Sequence, residues 1–409
     1  MRLLLLTQYF QPEIGAAQTR LDALTRDLVR RGDRVEVVTS LPNYPVGRVF
    51  EGFRGRPLRT TSENGVTIHR VWMYAALGIG LRRLVSYASF AATCLIGLVR
   101  SRKSDIIVVE SPPLFLTIPA ILYGKVRRTP VVVNVSDLWP DAAIAVGAIG
   151  EGRVAKLMFR LERWSYRHAA AVSTVTEGVR SRLVLDKHLP PQKVVILANA
   201  VDTDLFSPAA GDPSTLVRLG LSEVPFIVYA GTMGLAHGID PLLDAMALLR
   251  DTPGIPQLAM IGSGSERQRL ERRASDEGLD NIVFLDPIPP HELATLLPFA
   301  AAGIVTSAEI PLNEFSRPAK LFPLMSAGIP VLFAGGGEGA TAVRESGAGI
   351  VVANNAAAIA DGIRRINEAG SERDSMGRRG REAVLADWSW GRQIDPWYAL
   401  ITAIVSERE

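Results

Sequence analysis

A single cysteine, Cys94, stands among 409 residues, so an internal disulfide and a cysteine metal cluster are both excluded. The five histidines are scattered without ligand spacing, no metal site is expected, and a reducing, cytoplasmic location follows. Long hydrophobic runs are scarce too. "MRLLLLTQYF" at the N-terminus offers only four consecutive leucines, and Thr7-Gln8 stand where the apolar core of a signal peptide would continue. It reads as a first buried strand. Within the apolar stretch 71–99 the longest uncharged part, 84–99, has 16 residues, short of the roughly 20 that span a bilayer.

What is present is ordinary for a soluble chain of two domains: 47% hydrophobic and 21% charged residues, with 36 Gly and 26 Pro for tight connections. The net charge of +3 hides a split. Residues 1–200 carry 28 Lys and Arg against 15 Asp and Glu, and the remainder 17 against 27. A basic half faces nucleic acid, an anionic membrane surface, or only solvent. Within it, 71–99 is an apolar stretch flanked by Arg82-Arg83 and by Arg100, Arg102 and Lys103. Two readings stand: a helix lying in a membrane interface, or a buried core helix.

Short apolar runs at 3–6, 35–39, 106–109 and 131–135 alternate with helical patterns, and so do runs at 226–229, 258–261, 282–284, 303–305 and 330–333. Helices are expected at 239–250, 265–277, 291–299 and 319–326. The alternation predicts an α/β protein of two doubly wound parallel sheets, whose ligands bind beyond the carboxyl ends of the strands. The pattern breaks at 196–214, which sets the expected boundary: one domain over 1–205, a second over 206–389. A C-terminal aromatic helix, about 390–409, packs back onto the first.

Three glycine-bearing turns in the second half follow strands: "GTMGLAHG", "MIGSGSERQRLE" and "SAEIPLNEFSRPAKLFPLMSAGIPVLF". Such turns hold anions on backbone N–H groups, yet the first contains no Lys or Arg. The second does not complete a dinucleotide-binding pattern. In the first half "FQPEIGAAQTRLDAL" places Gly15 and Ala16 at a helix start, with Arg20 one turn on.

Taken together these segments resemble the retaining glycosyltransferases of family 4, also called glycosyl transferases group 1. The resemblance rests on "QPEIGAAQTRLDALTRDLVRRGDRVEVVT", "ILANAVDTDLF", "GTMGLAHGIDPLLDA", "MIGSGSERQRLE" and "KLFPLMSAGIPV" in that order, and "NVSDLWPDAA" looks like the branch of bacterial O-antigen and colanic-acid enzymes. It implies the GT-B fold, two Rossmann-like domains facing across a cleft. It also implies metal-independent, retaining transfer from a nucleotide sugar, a UDP-sugar favoured, to a lipid-linked or glycan acceptor in polysaccharide or O-antigen synthesis. No further cofactor and no nucleic acid partner are expected, and the basic half points to the inner face of the cell membrane.

The site residues follow residue by residue. Donor contacts are expected at Gly15, Ala16 and Arg20, at Gly231, Thr232 and Gly234, at Gly262, Gly264 and Arg267, and at Ile288, Ser316 and Leu321. The family's diphosphate-binding Arg and Lys are replaced here by Thr232 and His237, and its E-x7-E glutamates by Phe315 and Pro323. Lys320 then supplies the cation, assisted by His237 if protonated and by helix N-termini. Asp137, after the run 131–135, orients or deprotonates the acceptor. Trp139 and Trp388 are expected to be packing anchors. Two rivals share these features: a non-hydrolysing sugar-nucleotide 2-epimerase, and a non-catalytic glycosyltransferase-like partner subunit.

Overall fold

The computed structural model describes residues 1–409 apart from 14, 45, 77–79, 146, 148, 151, 222–223 and 408–409, and apart from the side chains of 81 and 312. The chain divides into two compact units, Met1–Asn199 with Gln393–Glu409, and Ala200–Arg392. The first break thus falls six residues before the expected one.

The first unit is built on eight strands: β1 (Arg2–Leu6), β2 (Arg34–Ser40), β3 (Leu58–Glu63), β4 (Val66–Val71), β5 (Ile106–Ser111), β6 (Val131–Val135), β7 (Ala171–Thr174) and β8 (Val194–Ile196). Their order is β3-β4-β2-β1-β5-β6-β7-β8. All pair in parallel except β3 with β4. That hairpin turns on Asn64-Gly65, both at positive φ, the geometry that lets a two-residue turn match the strand twist. Leu3 to Leu6 are at most 1% exposed, so the N-terminal leucines fill the centre of the sheet.

The helix Leu81–Arg100 combines both expected characters. Ser86, Phe90, Cys94 and Leu98 are fully buried, while Val85, Leu95, Ile96 and Val99 are exposed on the other face. It packs beside Thr117–Arg127, which packs beside Arg153–His168. The C-terminal helix Trp390–Ser406 lies on the first unit along most of its length. Arg31 pairs with Asp395 at 2.5 Å and covers the Tyr398 ring at 4.6 Å, and Trp397 is fully buried.

The second unit has six parallel strands: β9 (Phe226–Ala230), β10 (Gln257–Ile261), β11 (Ile282–Leu285), β12 (Ala302–Thr306), β13 (Val331–Ala334) and β14 (Gly349–Val352). They are ordered β11-β10-β9-β12-β13-β14. The order reverses between β9 and β12, and in the first unit between β1 and β5. Chains leaving neighbouring strands there diverge to opposite faces and open a crevice beyond the carboxyl ends. The apolar faces of the sheet are covered by two clusters, one around Phe322, Leu324 and Phe333 and one around Leu242, Met246 and Ile359.

Candidate functional site

In the second unit the turn after β9 runs from Gly231 to Gly238 across the β9/β12 reversal. The turn after β10 is packed directly on it. Met233 N–H donates to the Ser263 carbonyl at 2.8 Å, and Glu266 N–H donates to the Met233 carbonyl at 3.0 Å. A Cβ on Gly262 would lie 2.0 Å from the Gly231 oxygen, and one on Gly264 2.1 Å from the Met233 oxygen. Both have φ near +150°. These two glycines are therefore fixed by backbone-on-backbone packing, a different cause from the ligand approach expected of them. Asn313 donates to the carbonyls of Ala236 and Ala308, and Asn354 to those of Gly238 and Ser307. The far end of the turn is pinned by side-chain amides.

Lys320 reaches this turn from the segment after β12. It immediately precedes the helix Leu321–Ser326, so it caps that helix instead of lying in its first turn. With only six residues, the helix supplies no N-terminal anion site of its own. Lys320 Nζ donates to the Tyr229 hydroxyl and, at 3.3 Å, to the Thr232 carbonyl, and lies 3.9 Å from the Tyr229 ring centroid. Tyr229 in turn donates to Thr232 O at 2.8 Å. A Cβ on Gly231 would meet the Lys320 stem at 3.1 Å. Among the described residues no carboxylate pairs with Lys320. Solvent still reaches part of the side chain, but the surrounding protein is dense enough that desolvation lowers its pKa to about 7. It is a cation held without a counter-charge.

His237 does not share the charge. Burial, reinforced by the positive Lys320 nearby, lowers its pKa to about 3. This corrects the expectation of a protonated histidine: at neutral pH the imidazole is uncharged here, and the cationic role falls to Lys320 alone.

Other expected donor contacts are placed elsewhere. Arg267 donates to the Gly262 carbonyl at 2.8 Å and pairs with Glu271 at 2.7 Å and Asp286 at 2.8 Å, so its guanidinium is occupied. Leu321 is fully buried in the core, and its N–H donates to Pro318 O. Both are corrections. Ile288 packs against the same core from the loop after β11. Ser316 closes the short turn Pro311–Phe315 with its N–H on Asn313 O at 3.3 Å. Thr232 and Gly234 stay on the turn facing solvent or partly so.

In the first unit the carboxyl edges of β1, β5 and β6 converge on a buried polar cluster. Arg20 is 1% exposed. It donates to Glu110 at 2.6 Å, to Ser136 at 2.5 Å and to Asn199 at 2.8 Å. Asn134 donates to the other Glu110 oxygen at 2.6 Å and accepts from Ser173 at 2.7 Å. Arg20 is thus committed to a buried ion pair and is not a phosphate ligand, which corrects the sequence expectation. The cluster was readable as anomalies, Glu110 and Asn134 inside the apolar strands "IIVVES" and "VVVNV". Asp137 follows this cluster on the solvent side. Although solvent reaches it, the dense protein around its carboxyl raises the pKa by desolvation, partly offset by Arg20. Gly15 and Ala16 open the helix Ala16–Arg30 with no side-chain cap, leaving first-turn N–H groups for a ligand or water.

Trp139 packs on Phe115 at 6.1 Å and Trp388 on Phe322 at 5.3 Å, as packing anchors do. No group of three His, Cys, Asp or Glu among the described residues is arranged to hold a metal ion.

Comparison with known proteins agrees with this geometry. Residues 15–200 match the glycosyl transferase 4-like domain, and residues 218–383 match the glycosyl transferases group 1. The colanic acid biosynthesis glycosyl transferase named WcaI, of Escherichia coli, is 27% identical over 69% of this chain and 71% of its own. A GDP-mannose-dependent alpha-(1-6)-phosphatidylinositol monomannoside mannosyltransferase of Mycolicibacterium smegmatis is 24% identical over 95% of both. Among solved structures, HepE of Anabaena in complex with UDP-glucose shares the fold with a TM-score of 0.71 at 15% identity, over 98% of this chain and 100% of its own. With two matched domains, two parallel-sheet units and GT-B neighbours, the chain belongs to the group 1 glycosyltransferases of the GT-B fold.

Proposed function

We propose that the enzyme transfers a sugar from a nucleoside diphosphate, UDP in this reading, to a lipid-linked or glycan acceptor with retention of configuration and without a metal. The product feeds cell-surface polysaccharide or glycolipid synthesis. The observation that carries the reading is Lys320: an ammonium with no carboxylate partner among the described residues, held on Tyr229 against the turn 231–238 at the β9/β12 reversal. A departing diphosphate gains negative charge in the transition state, and a cation already desolvated and fixed in place stabilises it without further reorganisation. Neutral His237 contributes a hydrogen bond rather than charge. Asp137 takes the acceptor hydroxyl proton or orients it. Support for a nucleotide-sugar donor comes from the relatives, of which one depends on GDP-mannose and another binds UDP-glucose.

In the same reading the first unit rests on an anionic membrane. The exposed side of Leu81–Arg100 carries Val85, Leu95, Ile96 and Val99, Thr117–Arg127 adds Leu122 and Val126, and Arg153–His168 adds Val154 and Leu157. Arg153, Lys156, Arg160, Arg163 and Arg167 are exposed along that last helix. An apolar surface edged by basic side chains matches an interface of acyl chains and lipid phosphates.

The test is turnover against UDP-, GDP- and dTDP-sugars in EDTA, with the anomeric configuration of the product read by NMR. Transfer from a UDP-sugar with retention is expected. Absence of binding and turnover with every donor would sink the reading, an inverted product its stereochemistry, and abolition by EDTA its metal independence.

A further inference from the structure

The carboxyl edge of the first unit holds a second cation that no carboxylate pairs among the described residues. Arg83, near the start of Leu81–Arg100, is half-buried. Its Nε donates to the Tyr87 hydroxyl at 3.0 Å and its Nη1 to the Ala76 carbonyl at 2.7 Å. The guanidinium lies 4.8 Å from the Tyr87 ring centroid and 5.5 Å from that of Tyr9, and Tyr9 meets Tyr44 edge-on at 5.9 Å. Among the described residues no carboxylate pairs with it, and Nη2 has no protein partner. The nearby acid, Glu13, is turned elsewhere: its oxygens accept the N–H groups of Phe10, Asn43 and Tyr44. Those bonds tie the segment after β1 to the segment after β2, and so fix Tyr9 and Tyr44 around the arginine. Tyr9 follows β1, Tyr44 follows β2 and Ala76 follows β4, which puts the whole cluster where ligands of a doubly wound sheet bind.

A guanidinium taken partly out of water without a counter-charge is costly unless an anion completes it. Tyrosine faces hold it by cation–π contact while leaving one edge free for bidentate bonding to phosphate. The same helix carries the exposed row Val85, Leu95, Ile96 and Val99 away from this cluster. The lipid part of the acceptor comes from the reading above, in which that row meets the membrane.

We propose that Arg83, framed by Tyr9, Tyr44 and Tyr87, seats the phosphate of a lipid-linked acceptor. The inference rests on the glycosyltransferase reading for the word acceptor, and on the geometry for the phosphate. The probe is dodecyl phosphate, titrated below its micellar concentration into wild type, R83K, R83Q and K320A, each checked for a single cooperative thermal melt. Inorganic phosphate and a neutral dodecyl glycoside serve as the competing arms. Wild type and K320A should bind dodecyl phosphate alike, R83K more weakly, and R83Q at least tenfold more weakly. Binding by R83Q within twofold of wild type would overturn the proposal. Equal affinity for inorganic phosphate, or for the neutral glycoside, would overturn the lipid-phosphate assignment. If no nucleotide sugar is turned over while the Arg83-dependent binding persists, the transferase reading fails and the phosphate seat stands.

Discussion

His237 lies on the turn after β9 and Lys320 reaches it from the segment after β12, yet burial treats them differently. Desolvation lowers both pKa values, to about 7 for the lysine and about 3 for the histidine. Only the lysine is left able to carry charge near neutrality. A bound diphosphate favours the charged form, so donor binding above pH 7 must take up a proton at Lys320. The affinity for UDP, measured calorimetrically, should therefore be flat below pH 7 and weaken by up to about tenfold per pH unit above it. K320R, charged throughout, should flatten that limb. K320A should lose both the affinity and its pH dependence, with transfer reduced by roughly 10²–10³-fold as for other removed transition-state donors. A flat wild-type profile would remove Lys320 from the phosphate. At this scale the sequence identified the position but not the state. Arg20 was legible as a helix-start arginine, whereas its partner Glu110 is brought to it only by the pairing of β1 with β5. The occupancy of Arg267 likewise depends on Asp286, from a loop beyond the next strand.

Elements were legible in proportion to how completely they are buried. The strands β1, β2, β5, β6, β9, β10, β12 and β13 announce themselves as short apolar runs because both faces are covered. The hairpin β3–β4 does not, since "LRTTSE" has one polar, exposed side; its signal was the Asn64-Gly65 turn. β7 "AVST" is half polar, β8 has only three residues and β14 "GIVV" opens on glycine, so none stands out as an apolar run. Leu81–Arg100 could be read two ways because it is two-sided. It is the one described helix whose length and mean hydropathy of 1.2 would allow a membrane span, but 28% of that stretch is buried in protein. Its outward row is the element to vary. L95E/I96E places two acids at exposed positions, where surface substitutions change stability by only about 0.5 kcal/mol. Sedimentation with phosphatidylglycerol vesicles should fall at least tenfold for this variant, while its thermal melt and donor hydrolysis match wild type. Undiminished sedimentation would show that the helix faces water.

Over the whole molecule the two units differ in how they exchange protons on folding. In the first, burial raises Glu13 and Glu162 from 4.5 to about 7, against the opposing effects of backbone N–H bonds and of Lys187 respectively. A carboxyl with a raised folded pKa binds more protons in the folded state, so its contribution is complete below pH 4.5 and is lost as pH rises through about 7. In the second, Lys320 is lowered from 10.5 to about 7. The folded state then binds fewer protons than the unfolded one, and the contribution is complete above pH 10.5 and lost as pH falls through about 7. The basic unit should thus weaken from pH 5 to pH 7, and the acidic unit should strengthen from pH 7 to pH 9. Differences between variants and wild type isolate each effect from the rest of the titrating surface. Scanning calorimetry of E13Q should show a melt whose gap to wild type narrows or reverses as pH rises from 5 to 7, with no further change at pH 9. K320L should show its largest gain over wild type at pH 6 and a clearly smaller one at pH 9. Variants that track wild type in parallel across both windows would mean that neither carboxyl nor lysine is desolvated as the packing implies. The charge argument for donor binding would fall with the second of them, because the same desolvation that lowers Lys320 is what makes it responsive to a phosphate.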